Sequence, residues 1–134
     1  MPKAIITGAS TGIGLEFAKI FAKHGYELVL VSRNLESLEA VAKQFTVPVS
    51  CIAKDLSDID QVKELADQVN EIDVLVNNAG FGAYGELINL DPETQIEMIN
   101  LNVSALTYLS QVYAKRMAAC RSGRILNITS VASF

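Results

Sequence analysis

Short apolar runs alternate with stretches of helical period along the whole chain. Ala4-Ile5-Ile6-Thr7 reads as a strand, after which Ile13, Phe17, Ile20 and Phe21 recur at helical spacing until Gly25 stops the helix. Glu27 to Ser32 predicts a second strand, and Asn34 caps a helix with the buried stripe Leu35, Leu38, Val41, Ala42 and Phe45. Pro48 precedes a third strand, Val49 to Ala53, and Ser57 or Asp58 caps a helix carrying Ile59, Val62, Leu65, Ala66 and Val69. Asp73 to Asn77 predicts a fourth strand. A loop with Gly80, Gly82 and Gly85 then leads to Asp91-Pro92, a cap followed by proline at the first helical position. The helix that follows is long and apolar, with Met98, Leu101, Ala105, Leu109 and Val112 on one stripe. Gly123 breaks the chain, and Arg124 to Thr129 predicts a fifth strand.

Strands alternating with helices through short loops predict an α/β fold, a doubly wound parallel sheet in the order 3-2-1-4-5. A ligand is then expected at the C-terminal strand ends, beside the switch point between strands 1 and 4. The 134 residues suit a single domain over 1–134, with no repeat or linker. Half of them are apolar and 19% are charged, which excludes a disordered chain and suits strands buried on both faces. No apolar run approaches the ~20 residues of a membrane helix. Met1-Pro2-Lys3-Ala4 leads straight into a strand with no signal-peptide pattern, so no membrane partner and a cytoplasmic location are expected. A net charge of −4 without a basic cluster excludes a nucleic-acid partner. Cys51 and Cys120 lack metal-ligand spacing, and His24 is the only histidine, so no metal is expected. His24 itself reads as a solvated residue at a helix C-terminus.

The candidate chemistry begins in Thr7-Gly8-Ala9-Ser10-Thr11-Gly12-Ile13-Gly14, between the first strand and its helix. Gly8 permits a tight turn, Gly12 lets backbone approach a pyrophosphate, and Gly14 lets the helix pack closely on the strand. Glycines at this spacing also serve as plain turn punctuation. Their place between a strand and a helix favours the phosphate reading, and a P-loop is disfavoured because no Gly-Lys-Ser/Thr follows. The second strand ends in Ser32-Arg33, where an NAD site wants a carboxylate for the ribose 2′-hydroxyl. A guanidinium there can grip a 2′-phosphate, so NADP(H) is expected to be preferred over NAD(H). The alternative is a solvated arginine after a strand.

The spacing Gly-x-x-x-Gly-x-Gly, followed in order by Asp55-Leu56, Asn77-Asn78-Ala79-Gly80, Asn102 and Asn127-Ile128-Thr129-Ser130, resembles the short-chain dehydrogenase/reductase family over all 134 residues. The resemblance implies a cofactor rim of Thr7, Gly8, Ser10, Thr11, Gly12, Ile13, Gly14, Ser32, Arg33, Asp55, Leu56, Asn78, Ala79 and Gly80. Within it, Asp55 accepts a hydrogen bond from the adenine amine; capping the next helix is its other reading. Asn77 belongs partly to sheet structure, and the alternative for Asn77-Asn78-Ala79-Gly80 is a plain turn. Asn102 and Ser130 are the implied catalytic positions. Asn102 distorts its helix and holds a water in a proton relay, the alternative being a buried structural amide among Leu101, Val103, Ala105 and Leu106. Ser130 hydrogen-bonds the substrate carbonyl, the alternatives being Thr129 or a plain strand-end serine.

The family's proton donor is the tyrosine of a Tyr-x-x-x-Lys pair beyond that serine. Here Tyr26, Tyr84, Tyr108 and Tyr113 are followed four residues later by Leu30, Ile88, Val112 and Met117, never by lysine. General acid–base help is worth roughly 10²–10⁴-fold in rate, so the chain alone is expected to be inactive or nearly so. The reading is an NADP(H)-dependent oxidoreductase, a carbonyl reductase or alcohol dehydrogenase for a small-molecule substrate, present as its cofactor-binding fragment truncated after strand 5. The alternative is a non-catalytic NADP(H)-binding or dimerising module. Phe81 and Tyr84 either wall a substrate pocket or pack in the core. Self-association through the Met98–Met117 helix is expected, because an unpaired strand edge and bare apolar helix surface seek partners.

Overall fold

A computed structural model describes residues 1–129. Five parallel strands, β1 (Lys3–Thr7), β2 (Glu27–Ser32), β3 (Val49–Ala53), β4 (Val74–Asn77) and β5 (Arg124–Asn127), form a sheet in the order β3-β2-β1-β4-β5. The helices between them are α1 (Gly12–Lys23), α2 (Leu35–Ala42), α3 (Ile59–Gln68), α4 (Pro92–Ile99) and α5 (Leu106–Cys120). A 3₁₀ turn at Leu87–Asn89 precedes α4, and a π segment, Asn100–Ala105, joins α4 to α5. The expected doubly wound topology is the observed one.

The two-residue period of the strands divides the core into two layers. Ile5, Val29, Val31 and Leu75 face Val62 and Leu65 of α3 and Leu109, Tyr113 and Met117 of α5. Ala4, Ile6, Leu28, Leu30, Val74 and Val76 face Ala18 of α1 and Leu38 and Val41 of α2. The central strands β1, β2 and β4 are buried along their apolar residues, whereas β3 and β5 at the edges mix half-buried and exposed positions.

Four helical stripes differ from the sequence reading. The buried residues of α1 are Gly14 and Ala18, and Ile13 and Ile20 are exposed. Small residues let this helix lie close to the sheet, so the large side chains stand at its margins. Leu35 and Ile59 are also exposed, each being the first residue after a cap. The long helix is not continuous. Its π segment widens one turn and displaces the stripe, so the buried residues run Ala105, Leu109, Tyr113, Met117 while Met98, Leu101 and Val112 are half-buried.

One buried polar contact joins the two helices of that layer. The Tyr113 hydroxyl donates to the Val69 carbonyl at 2.6 Å, and Arg116 Nη1 donates to the carbonyls of Ala66 and Val69 at 2.8 and 3.2 Å. Both satisfy orphan acceptors at the C-terminal end of α3. The guanidinium also lies 5.2 Å from the Tyr113 ring centre. Burial pushes the Tyr113 phenol up to about 12, against the opposing pull of Arg116. A raised folded value favours the protonated form, so its contribution is complete below pH 10 and is lost as pH climbs towards 12. Tyr113→Phe should cost about 1 kcal/mol at neutral pH by leaving Val69 one donor short, and should flatten this alkaline fall in urea-unfolding stability. An unchanged neutral stability would contradict the assignment.

Candidate functional site

A cleft of about 770 Å³ opens at the C-terminal ends of β1 and β4, at the switch point of the sheet. Twelve of the expected rim residues line it: Gly8, Ser10, Thr11, Gly12, Ile13, Ser32, Arg33, Asp55, Leu56, Asn78, Ala79 and Gly80. Thr7 and Gly14 do not form its wall. They lie beneath it and hold its floor together, because both are buried where α1 meets the strand ends.

The floor is set by close packing. Gly8 and Gly12 take left-handed backbone, φ +64° and +57°. A side chain on Gly14 would overlap the Gly8 carbonyl oxygen and the Asn78 amide. The Thr7 hydroxyl, 2% exposed as a residue, accepts from the backbone N–H groups of Asn78 and Ala79 at 3.0 and 2.9 Å. Asn78 Nδ2 donates back to the carbonyls of Thr7 and Gly8 at 3.2 and 3.1 Å. With the Thr7 hydroxyl also donating to the Val76 carbonyl at 3.4 Å, five side-chain hydrogen bonds lock the end of β1 to the end of β4.

Above this floor, α1 presents an open N-terminus. Its N-cap Thr11 makes no side-chain cap bond, and its first turn holds no acidic residue. The other helices that start from loops differ. Asn34 accepts from Ser37 N–H, Asp58 from Asp60 N–H and Asp91 from Thr94 N–H, with Glu36, Asp60 and Glu93 in the respective first turns. The Thr94 hydroxyl and N–H hold the Asp91 carboxyl below the usual carboxylate range. Three helix starts are thus satisfied internally, while the one facing the cleft leaves its N–H groups and positive dipole end uncapped.

At the other end of the cleft, β2 leaves the sheet through Ser32, Arg33 and Asn34, with no carboxylate. Asp58, not Ser57, caps α3. Asp55 is fixed instead by a local turn: its Oδ1 accepts from Ser57 N–H and Oγ at 3.0 and 2.6 Å, and its own N–H donates to Gln61 Oε1 at 2.8 Å. Sequence reasoning missed Asn34, Lys54, Thr94, Glu97 and Leu101, which also line the cleft. The last three share one helical face at spacings of three and four, a signal masked by the apolar stripe assigned to that helix. Phe81 joins the wall, whereas Tyr84 stands in solvent.

Asn102 sits in the π segment and is exposed rather than buried, yet its amide has a partner. Oδ1 accepts from Phe81 N–H at 3.0 Å and Nδ2 donates to Phe81 C=O at 2.8 Å. The amide thus props the Gly80–Phe81 loop, close against the side of Gly80 that bears no side chain. Asn77 Nδ2 donates to Ser110 Oγ and Asn127 Oδ1, tying β4 to α5 and β5. Ser130 lies outside the described residues. Among the described residues no three His, Cys, Asp or Glu side chains cluster as metal ligands, and no helix is long and apolar enough to cross a membrane.

The family model described as short chain dehydrogenase matches residues 2–134. Gluconate 5-dehydrogenase of Gluconobacter oxydans (strain 621H) is 36% identical over 138 residues, covering 98% of this chain and 54% of that protein. The chain therefore spans about half the length of the curated relatives it matches. Among solved structures, a short-chain dehydrogenase from Sphingobium yanoikuyae in complex with NADPH is 35% identical with a TM-score of 0.94, over 100% of this chain and 55% of that one. The bulky-bulky ketone specific alcohol dehydrogenase from Comamonas testosteroni is 34% identical, also with a TM-score of 0.94, over 100% and 57%.

Thr7→Val keeps the shape of the side chain but leaves the Asn78 and Ala79 N–H groups without their acceptor. It should destabilise the protein by about 2–3 kcal/mol in urea unfolding, while Thr7→Ser stays within about 1 kcal/mol of the parent. Equal stabilities for the valine and serine variants would contradict the clasp.

Proposed function

The chain belongs to the short-chain dehydrogenase family, and we propose that residues 1–134 form the NADP(H)-binding domain of a carbonyl reductase or alcohol dehydrogenase. One observation carries this reading: among the α-helices of the described residues that begin from loops, the one at the mouth of the cleft lacks both a side-chain cap and an acidic first turn. A dinucleotide diphosphate meets that demand, with Ser10, Thr11, Gly12 and Ile13 around it. Thr7 and Gly14 act from beneath. Asn78, Ala79 and Gly80 receive the nicotinamide ribose. Asp55 and Leu56 receive the adenine, and Ser32 and Arg33 receive a 2′-phosphate.

Bound nicotinamide supplies a hydride acceptor or donor for an alcohol or carbonyl carbon. Ser130 polarises the substrate oxygen in this reading. Asn102, whose side chain is committed to Phe81, acts by holding the loop and the widened helical turn beside the cleft. No Tyr-x-x-x-Lys occurs among these residues, so they bind cofactor and need a proton donor from elsewhere. Exposed Ile96, Ile99 and Val103, from α4 into the π segment, and the open edge of β5 support self-association through this helical region. The absence of a membrane-length helix among the described residues, together with free Cys51 and Cys120, supports a cytoplasmic location.

Fluorescence titration should give NADPH at least about tenfold tighter binding than NADH, and Arg33→Ala should lower that ratio several-fold. Tighter binding of NADH by the parent protein would overturn the cofactor preference.

A further inference from the structure

The end of β3 carries a second cation at the same wall of the cleft. Ser32 of β2 pairs with Ala53 of β3, so Arg33 and Lys54 leave the sheet side by side, and the Lys54 N–H donates to the Ser32 carbonyl at 2.9 Å. Both residues line the cleft. The Arg33 side chain carries no hydrogen bond or ion pair among the described residues. The Lys54 side chain is 19% exposed, and its Nζ lies 2.9 Å from Glu64 Oε2 on α3, whose own side chain is 59% exposed. One turn earlier on α3, Gln61 accepts the N–H of Asp55. The helix therefore grips the end of β3 at two successive points and holds the Lys54 ammonium in place.

An ion pair with so exposed a carboxylate adds little to folding. It does hold a mostly buried lysine side chain on the same wall as an unpaired Arg33, and its carboxylate partner can be exchanged at small cost for a stronger anion. A phosphate monoester carries nearly two negative charges, more than Arg33 alone neutralises.

We propose that Lys54 is a second specificity-determining cation for a 2′-phosphorylated adenosine, with Glu64 as the counter-ion it exchanges for that phosphate. The proposal rests on the NADP(H) reading of the cleft. Neither residue contributes to binding a nucleotide that lacks the phosphate.

The test titrates adenosine 2′,5′-bisphosphate, 5′-AMP, NADPH and NADH into the parent chain and three variants. Lys54→Gln should weaken the bisphosphate and NADPH about tenfold and leave 5′-AMP and NADH within about twofold, which also shows that the variant is folded. Glu64→Gln should strengthen NADPH about two- to fivefold and leave NADH unchanged. Lys54→Gln weakening all four ligands alike, or none of them, overturns the proposal, as does weaker NADPH binding by Glu64→Gln. Arg33→Ala separates the two claims. If it abolishes the NADPH preference while Lys54→Gln leaves it intact, the cofactor reading stands and the role of Lys54 falls. If the parent chain already binds NADH as tightly as NADPH, the cofactor reading itself fails.

Discussion

The cleft exists because the first turn of α1 lies against the end of β1 more closely than any side chain permits. Gly14 has no room for a methyl group beside the Gly8 carbonyl, and that same carbonyl is held by the Asn78 amide. The contact fixes the direction of α1, and with it the direction of its free N–H groups. Thr7 then fastens β4 to the same point, so the uncapped start of α1 and the Asn78–Gly80 backbone are tied to one junction. Every other part of the rim is arranged around this junction.

Much of this was legible in the chain because local rules and tertiary structure agree here. Runs such as Leu28–Val31 are apolar on both faces, and a short run of that kind, rich in β-branched valine, suits a strand of a covered parallel sheet. Asn34, Asp58 and Asp91 mark helix starts by their own chemistry. The glycine spacing after β1 named the place of the cleft, and twelve of fourteen rim residues line it. The other two, Thr7 and Gly14, belong to the same junction but work from below. Which residues touch a ligand and which shape the surface that does is a three-dimensional distinction that spacing along a chain does not carry.

The remaining departures share a cause. Helical periodicity assumes 3.6 residues per turn, and the π segment at Asn100–Ala105 breaks that assumption where the helix passes the cleft. Stripes counted from either end therefore go out of phase. Asn102, surrounded in sequence by apolar neighbours, turns outward to clasp Phe81, and Thr94, Glu97 and Leu101 turn in. The widened turn is not random irregularity: it lies where the loop after β4 needs an amide to satisfy both its N–H and its C=O.

The most direct test of the central claim is amide chemical-shift mapping of the ¹⁵N-labelled protein during titration with NADPH. The largest changes should fall on the Gly12, Ile13 and Gly14 amides at the uncapped start of α1, with Gly8 and Asn78 following. Changes concentrated at the capped starts of α2, α3 or α4, with the α1 amides unmoved, would contradict it.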